Sequence, residues 1–128
     1  MKQLTPQELR IGNWYNSVKF NKPVTLTAED IYELVFRAEG ANISHYINEM
    51  FDPIPLDEDW LVKFGFKRRM LSKQTKDDYW IHEKLPEEFS FYLPYFYMSI
   101  YFDNVNIPFV HSMQNFFHSL TGTELTRK

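Results

Sequence analysis

Hydrophobic and polar positions alternate along most of this chain in short runs, with two kinds of period. Between residues 9 and 27 the period is two: Trp14, Val18 and Phe20 share one side of a strand, and Val24 and Leu26 share one side of the next. Asn21-Lys22 supplies the connection, and Pro23 opens the return strand where a missing N–H is tolerated. Gly12-Asn13 marks a turn or bulge at the entry. From residue 28 to 39 the period becomes helical. Ile31, Leu34, Val35 and Ala38 form the apolar stripe, Thr27 and Asp30 have capping-box spacing, and Gly40 stands at the stop. Ile43, Ile47, Met50 and Phe51 predict a second short helix. Asp52-Pro53-Ile54-Pro55 is extended, because a residue before proline is pushed out of the helical region. Leu56 to Gly65 reads as a short helix with Asp57, Glu58 and Asp59 at its positive end.

Residues 66 to 107 return to the strand period. Segments 66–71 and 79–83 flank a polar loop at 72–78, and Phe89, Phe91 and Leu93 alternate. Phe96, Met98, Ile100 and Phe102 alternate with Tyr95, Tyr97, Ser99 and Tyr101, Pro94 bends the chain, and Asp103-Asn104 reads as a turn. A last helix runs from Phe109 to Leu120, with Val110, Met113, Phe117 and Leu120 as its apolar stripe and Thr121-Gly122 as its end. The expected fold is α+β: a meandering antiparallel sheet with two to four helices packed mainly on one face. A chain of 128 residues is the usual size of a single domain, here 1–128.

Composition sharpens this picture. The chain is 44% hydrophobic and 18% aromatic, so the core or an interface is rich in rings. It has no cysteine, which excludes disulfides and thiolate metal sites and fits a reducing, cytoplasmic location. The first residues lack the apolar run of a secretory signal, and the ring-rich stretch 89–102 is too short and too mixed for a membrane span. A net charge of −3 supplies no long-range field for a polyanion and falls short of an acidic DNA mimic.

Three stretches carry a resemblance. Leu9-Arg10-Ile11-Gly12-Asn13-Trp14 is the first. Pro53-Ile54-Pro55-Leu56, followed by Trp60-Leu61 and Phe64-Gly65-Phe66, is the second. Val110-His111, Gln114-Asn115, Leu120-Thr121-Gly122 and Glu124-Leu125 make the third. In order and spacing they resemble a family of small uncharacterised proteins of Bacteroidetes bacteria and their phages and prophages. The resemblance implies a small intracellular accessory protein of mobile-element origin and carries over no catalytic residues.

Candidate chemistry is confined to a few places. His111, Gln114, Asn115 and His118 fall at i, i+3, i+4 and i+7 and share one polar helix face, which can hydrogen-bond a partner or can be an ordinary solvated face. Spacing disfavours a metal shared by the two histidines, since they lie about 10 Å apart along the axis and zinc-binding pairs on helices usually stand at i, i+4. Tyr95, Tyr97 and Tyr101, joined by Trp80 and Tyr92, form a ring face that can anchor a protein or stack bases. Lys67-Arg68-Arg69 and Lys73 are the basic cluster nearby. The acidic runs 57–59, 77–78 and 87–88 sit at a helix start and in turns, where solvated carboxylates are expected. His82 and Glu83 are strand neighbours and point to opposite faces. No serine–histidine–aspartate order, phosphate-cradling glycine loop or metal-ligand spacing appears. The sequence therefore points to a non-enzymatic interaction protein that binds a protein partner or itself through the tyrosine or histidine face, with no cofactor and no metal. A single-stranded nucleic-acid binder and a small enzyme using His111 or His118 are the alternatives.

Overall fold

The computed structural model describes residues 4–38, 43–70, 78–86, 88–100 and 103–127. It is α+β, with four α-helices and two antiparallel sheets among the described residues. Contacts cluster into two units. The first holds residues 1–54 and 109–115, and the second holds residues 55–108 and 116–128.

In the first unit, strands β1 (Trp14–Ser17), β2 (Lys22–Thr25) and β3 (Phe51–Asp52) form a sheet in the order β2-β1-β3. The hairpin is present, but its inner face differs from the expected one. Tyr15 and Ser17 are buried, whereas Val18 and Phe20 lie in the connection and are exposed. Asn21 takes a left-handed φ of 51° and closes the turn by donating its N–H to Ser17 O at 2.8 Å, so Lys22 already belongs to the return strand. The displaced turn explains the swap: a strand that ends at Ser17 cannot carry Val18 and Phe20 inward.

Helix α1 (Ala28–Ala38) begins at a reciprocal cap. The Thr27 N–H donates to Asp30 Oδ2 at 2.9 Å, and the Asp30 N–H donates back to Thr27 Oγ1 at 3.2 Å. Leu34 and Ala38 are buried as expected, whereas Val35 stands in solvent. Helix α2 (Ile43–Met50) follows with Ile47 buried. The core here is Leu4, Tyr15, Leu26, Leu34, Ile47 and Phe51, flanked by Leu9, Val24, Ile31, Ile43, Tyr46 and Met50. The Gly40 stop falls outside the described residues.

In the second unit, α3 (Glu58–Lys63) starts at Asp57, whose carboxylate accepts the Trp60 N–H at 3.0 Å. It ends before Gly65, which has a φ of 91° and so occupies the conformation glycine adopts at least cost. Strands β4 (Lys67–Met70), β5 (Asp78–Ile81), β6 (Phe89–Tyr92), β7 (Tyr97–Ile100) and β8 (Asp103–Asn106) form a meander in chain order. Asp103 and Asn104 are therefore strand residues rather than a turn. The 3-10 turn Leu93–Tyr95 separates β6 from β7 and is capped by Phe96 at a left-handed φ of 55°. Helix α4 (Val110–Thr121) closes the chain, and Gly122 stops it at a φ of 70°. Its residues up to Asn115 belong to the first unit and those from Phe116 to the second. Leu120, placed in the apolar stripe by spacing, is half in solvent. Among the described residues no helix is long and apolar enough to cross a membrane.

Candidate functional site

Register decides which side chains share a face of the five-stranded sheet, because residues directly opposite in an antiparallel pair project to the same side. Trp80 faces Phe91, Phe91 faces Met98 and Met98 faces Val105. Trp80, Phe91 and Met98 are 4%, 0% and 0% exposed and define the core side. The other side carries Lys67 and Arg69 from β4, Tyr79 and Ile81 from β5, and Ser90 and Tyr92 from β6. β7 adds Tyr97 and Ser99, and β8 adds Asn104 and Asn106. These described strand positions include two cations and no carboxylate.

Four tyrosines on this side make a continuous row. The Tyr79 and Tyr92 ring centroids are 6.2 Å apart, Tyr92 stacks on Tyr97 at 5.0 Å, and Tyr97 stacks on Tyr95 at 6.1 Å. Tyr95 reaches the row from the 3-10 turn and is 61% exposed, while the other three are half-buried. Trp80, expected among them, lies on the core side and is unavailable to a partner. Tyr101 falls outside the described residues. Tyr79 is an addition that sequence spacing did not single out, and of the basic cluster Lys67 and Arg69 lie on this side while Arg68 lies opposite Trp80. The alternation of Tyr79 and Ile81 against Trp80 and His82 was the signal available.

The polar face of α4 is not a free surface. His111 and Gln114 are each 1% exposed. Gln114 Oε1 accepts the Trp14 N–H at 2.8 Å, and its amide nitrogen donates to Gly12 O at 3.4 Å. Asn115 Oδ1 accepts from Arg10 Nε at 3.0 Å and from Asn13 Nδ2 at 2.8 Å, and Arg10 also donates to Gln114 O at 3.1 Å. His111 Nε2 lies 2.7 Å from Glu8 Oε2, and its ring packs on Tyr15 and Phe109 at 5.1 and 5.7 Å. These bonds join residues about a hundred positions apart and satisfy backbone groups that the turn at Gly12 leaves open. His118 alone of the four stays at the surface, 3.7 Å from Glu124. Its side chain is 42% exposed.

Tyr15 shares this buried set. Its hydroxyl donates to Glu8 O at 2.6 Å and accepts from Asn13 Nδ2 at 3.3 Å. Burial raises its pKa, opposed by the hydrogen bond from Asn13. The folded state thus holds the phenol proton more tightly than the unfolded chain. The corresponding stability is complete below the ordinary phenol value of about 10 and is lost as pH rises from there through the raised value of the folded state. Denaturant midpoints measured at increasing alkaline pH should fall more steeply for the natural chain than for Tyr15→Phe.

His82 is also structural. The Lys84 N–H donates to its Nδ1 at 3.1 Å, which leaves Nε2 to carry the proton and donate to Phe64 O at 3.1 Å. Its ring meets Phe66 and Phe117 edge-on at 5.0 and 4.8 Å. Among the described residues no cluster of three or more histidines and carboxylates is placed to hold a metal ion.

Comparison with known proteins finds no matching family model, no similar curated protein and no matching solved structure.

Proposed function

We propose that this chain is a non-enzymatic interaction protein that binds a protein partner through the tyrosine side of its five-stranded sheet. The tyrosine row carries this reading. Tyr79, Tyr92, Tyr97 and Tyr95 offer a large, rigid contact area with hydroxyls able to donate and accept. Ring orientation favours protein over nucleic acid. Tyr92, Tyr97 and Tyr95 stack on one another, with interplanar angles of 27° and 29°. Tyr97 thus has both of its stacking partners, Tyr92 and Tyr95, within the row. Base stacking needs open ring faces beside a basic groove.

Lys67 and Arg69, with no carboxylate among the described strand positions on this side, suit a partner surface rich in carboxylates and carbonyls. A cytoplasmic role accords with the cysteine-free composition, and the resemblance to small phage and prophage proteins suits an accessory protein of mobile-element origin.

The test is capture from host lysate on the immobilised chain, with and without nuclease, in parallel with a Tyr95→Ala/Tyr97→Ala variant. The expected result is a stoichiometric protein that resists nuclease and is lost from the variant, whose thermal unfolding stays within a few degrees of the natural chain. Retention by the variant would remove the tyrosine row from the function. Loss on nuclease treatment, with steep salt dependence, would give the face to single-stranded nucleic acid.

A further inference from the structure

The sheet edges are not alike. Antiparallel sheets protect exposed edges with lysine, proline, bulges or short length. At one end of the five-stranded sheet, β4 begins with Lys67, Arg68 and Arg69 in succession. In the three-stranded sheet, the β2 edge carries Lys22 and Pro23, and the β3 edge is two residues long. The remaining edge, β8, reads Asp-Asn-Val-Asn. It has no lysine or proline, its four residues are all exposed, and Val105 remains 37% exposed.

The hydrogen-bonding direction along β8 follows from its register. The Ile107 N–H donates to Phe96 O at 2.7 Å, so Ile107 points its backbone groups toward β7. In an antiparallel ladder this direction alternates, so Val105 and Asp103 also point toward β7. The N–H and C=O of Asn104 and Asn106 therefore point outward from the sheet.

We propose that β8 pairs antiparallel with β8 of a second copy of this chain, with Asn104 opposite Asn106 of the partner copy and Val105 opposite Val105. The sequence Asn104-Val105-Asn106 reads the same in both directions, and this register matches it. Each outward group of Asn104 and Asn106 meets its complement across the two-fold axis, which makes four backbone hydrogen bonds. Val105 falls at the non-hydrogen-bonded position, where Cα atoms approach to about 4.5 Å and side chains are closest. The asparagine amides, each both donor and acceptor, face one another on the tyrosine side. Because opposed residues share a face, the two tyrosine rows lie on the same side of a continuous ten-stranded sheet. A seam of three residues per copy is small, so the dimer is weak and concentration-dependent. The inference stands whether or not the tyrosine row binds a protein.

Sedimentation of the whole chain over a wide concentration range tests it, together with two substitutions. Asn104→Pro removes an N–H that points away from β7, so it spares the internal ladder and should weaken the dimer about tenfold or more. Val105→Lys sets two ammonium groups against each other and repeats the test should proline unfold β8. The absence of native cysteine permits a direct check of register. Val105→Cys should form an intermolecular disulfide much faster than Val35→Cys, an exposed control on α1, because the expected spacing lies within the disulfide range of about 4.4–6.8 Å. A monomer at every concentration, with both cysteine variants crosslinking equally slowly, would overturn the proposal. A dimer untouched by Val105→Lys would do the same.

Discussion

Replacing Gln114 with Leu should destabilise the protein by about 2–3 kcal/mol. The substitution keeps most of the side-chain volume and removes both polar atoms, so the loss reports hydrogen bonding rather than a cavity. Gln114 is 1% exposed, and its Oε1 is 2.8 Å from the Trp14 nitrogen. In the variant that N–H faces an aliphatic side chain, and a buried donor left so costs its full desolvation penalty. The Gly12 carbonyl, bonded more loosely at 3.4 Å and closer to solvent, costs less to release. For a chain of this size the change corresponds to a melting temperature lower by about 8–12 °C. His118→Ala, one helical turn along the same face, should stay within about 0.5 kcal/mol, because that side chain is 42% exposed. Equal effects at the two positions would show that the polar side of α4 is uniformly solvated and that the Gln114 bonds are not formed.

Phe91→Ala should cost more, about 3–5 kcal/mol. Phe91 is fully buried at the middle of the sheet, opposite Trp80 on one side and Met98 on the other. Truncation leaves a ring-sized void whose walls belong to paired strands, so collapse is limited. Tyr92→Ala, its immediate neighbour, removes a ring from the opposite side of the same strand. It loses ring contacts, those with Tyr79 and Tyr97 among them, from a half-buried position, and should cost less than Phe91→Ala, about 1–3 kcal/mol. Urea titrations of the two variants read this difference directly. The contrast is the energetic form of the two-sided sheet: one side holds the fold, and the other stays partly in solvent.

The helices were largely legible in the sequence, because their signals are local. Thr27 with Asp30, Asp57 before Trp60, and Gly65 after Lys63 each act within a turn of the residues they cap. The central strands were legible too, since Phe89 and Phe91 alternate with Ser90 and Tyr92 on a half-buried surface. β8 was not, because an edge strand exposed along its whole length needs no apolar alternation. Asp-Asn-Val-Asn is composed mainly of turn-forming residues, and its strand state comes from pairing with β7. The fate of His111, Gln114 and Asn115 was equally hidden. A polar helical stripe reads as a solvated face unless something at great sequence distance needs its donors and acceptors. Here Glu8, Arg10, Gly12, Asn13 and Trp14 do. The structure joins the segments around Gly12 and Gln114 as a structural latch. Trp80 differs from the expectation for a simpler reason: successive strand residues point to opposite faces, so one residue's shift in phase puts Trp80 in the core and Tyr79 in the row.

The sequence offers two surfaces, and in the structure His111 and Gln114 of the helix face are buried. Amide hydrogen exchange, compared between the free chain and its captured complex, locates the partner most directly. The account predicts slowed exchange across β6, β7 and β8 in the complex, with Val110–Thr121 unchanged. New protection confined to Val110–Thr121, with β6 to β8 exchanging as in the free chain, would contradict it.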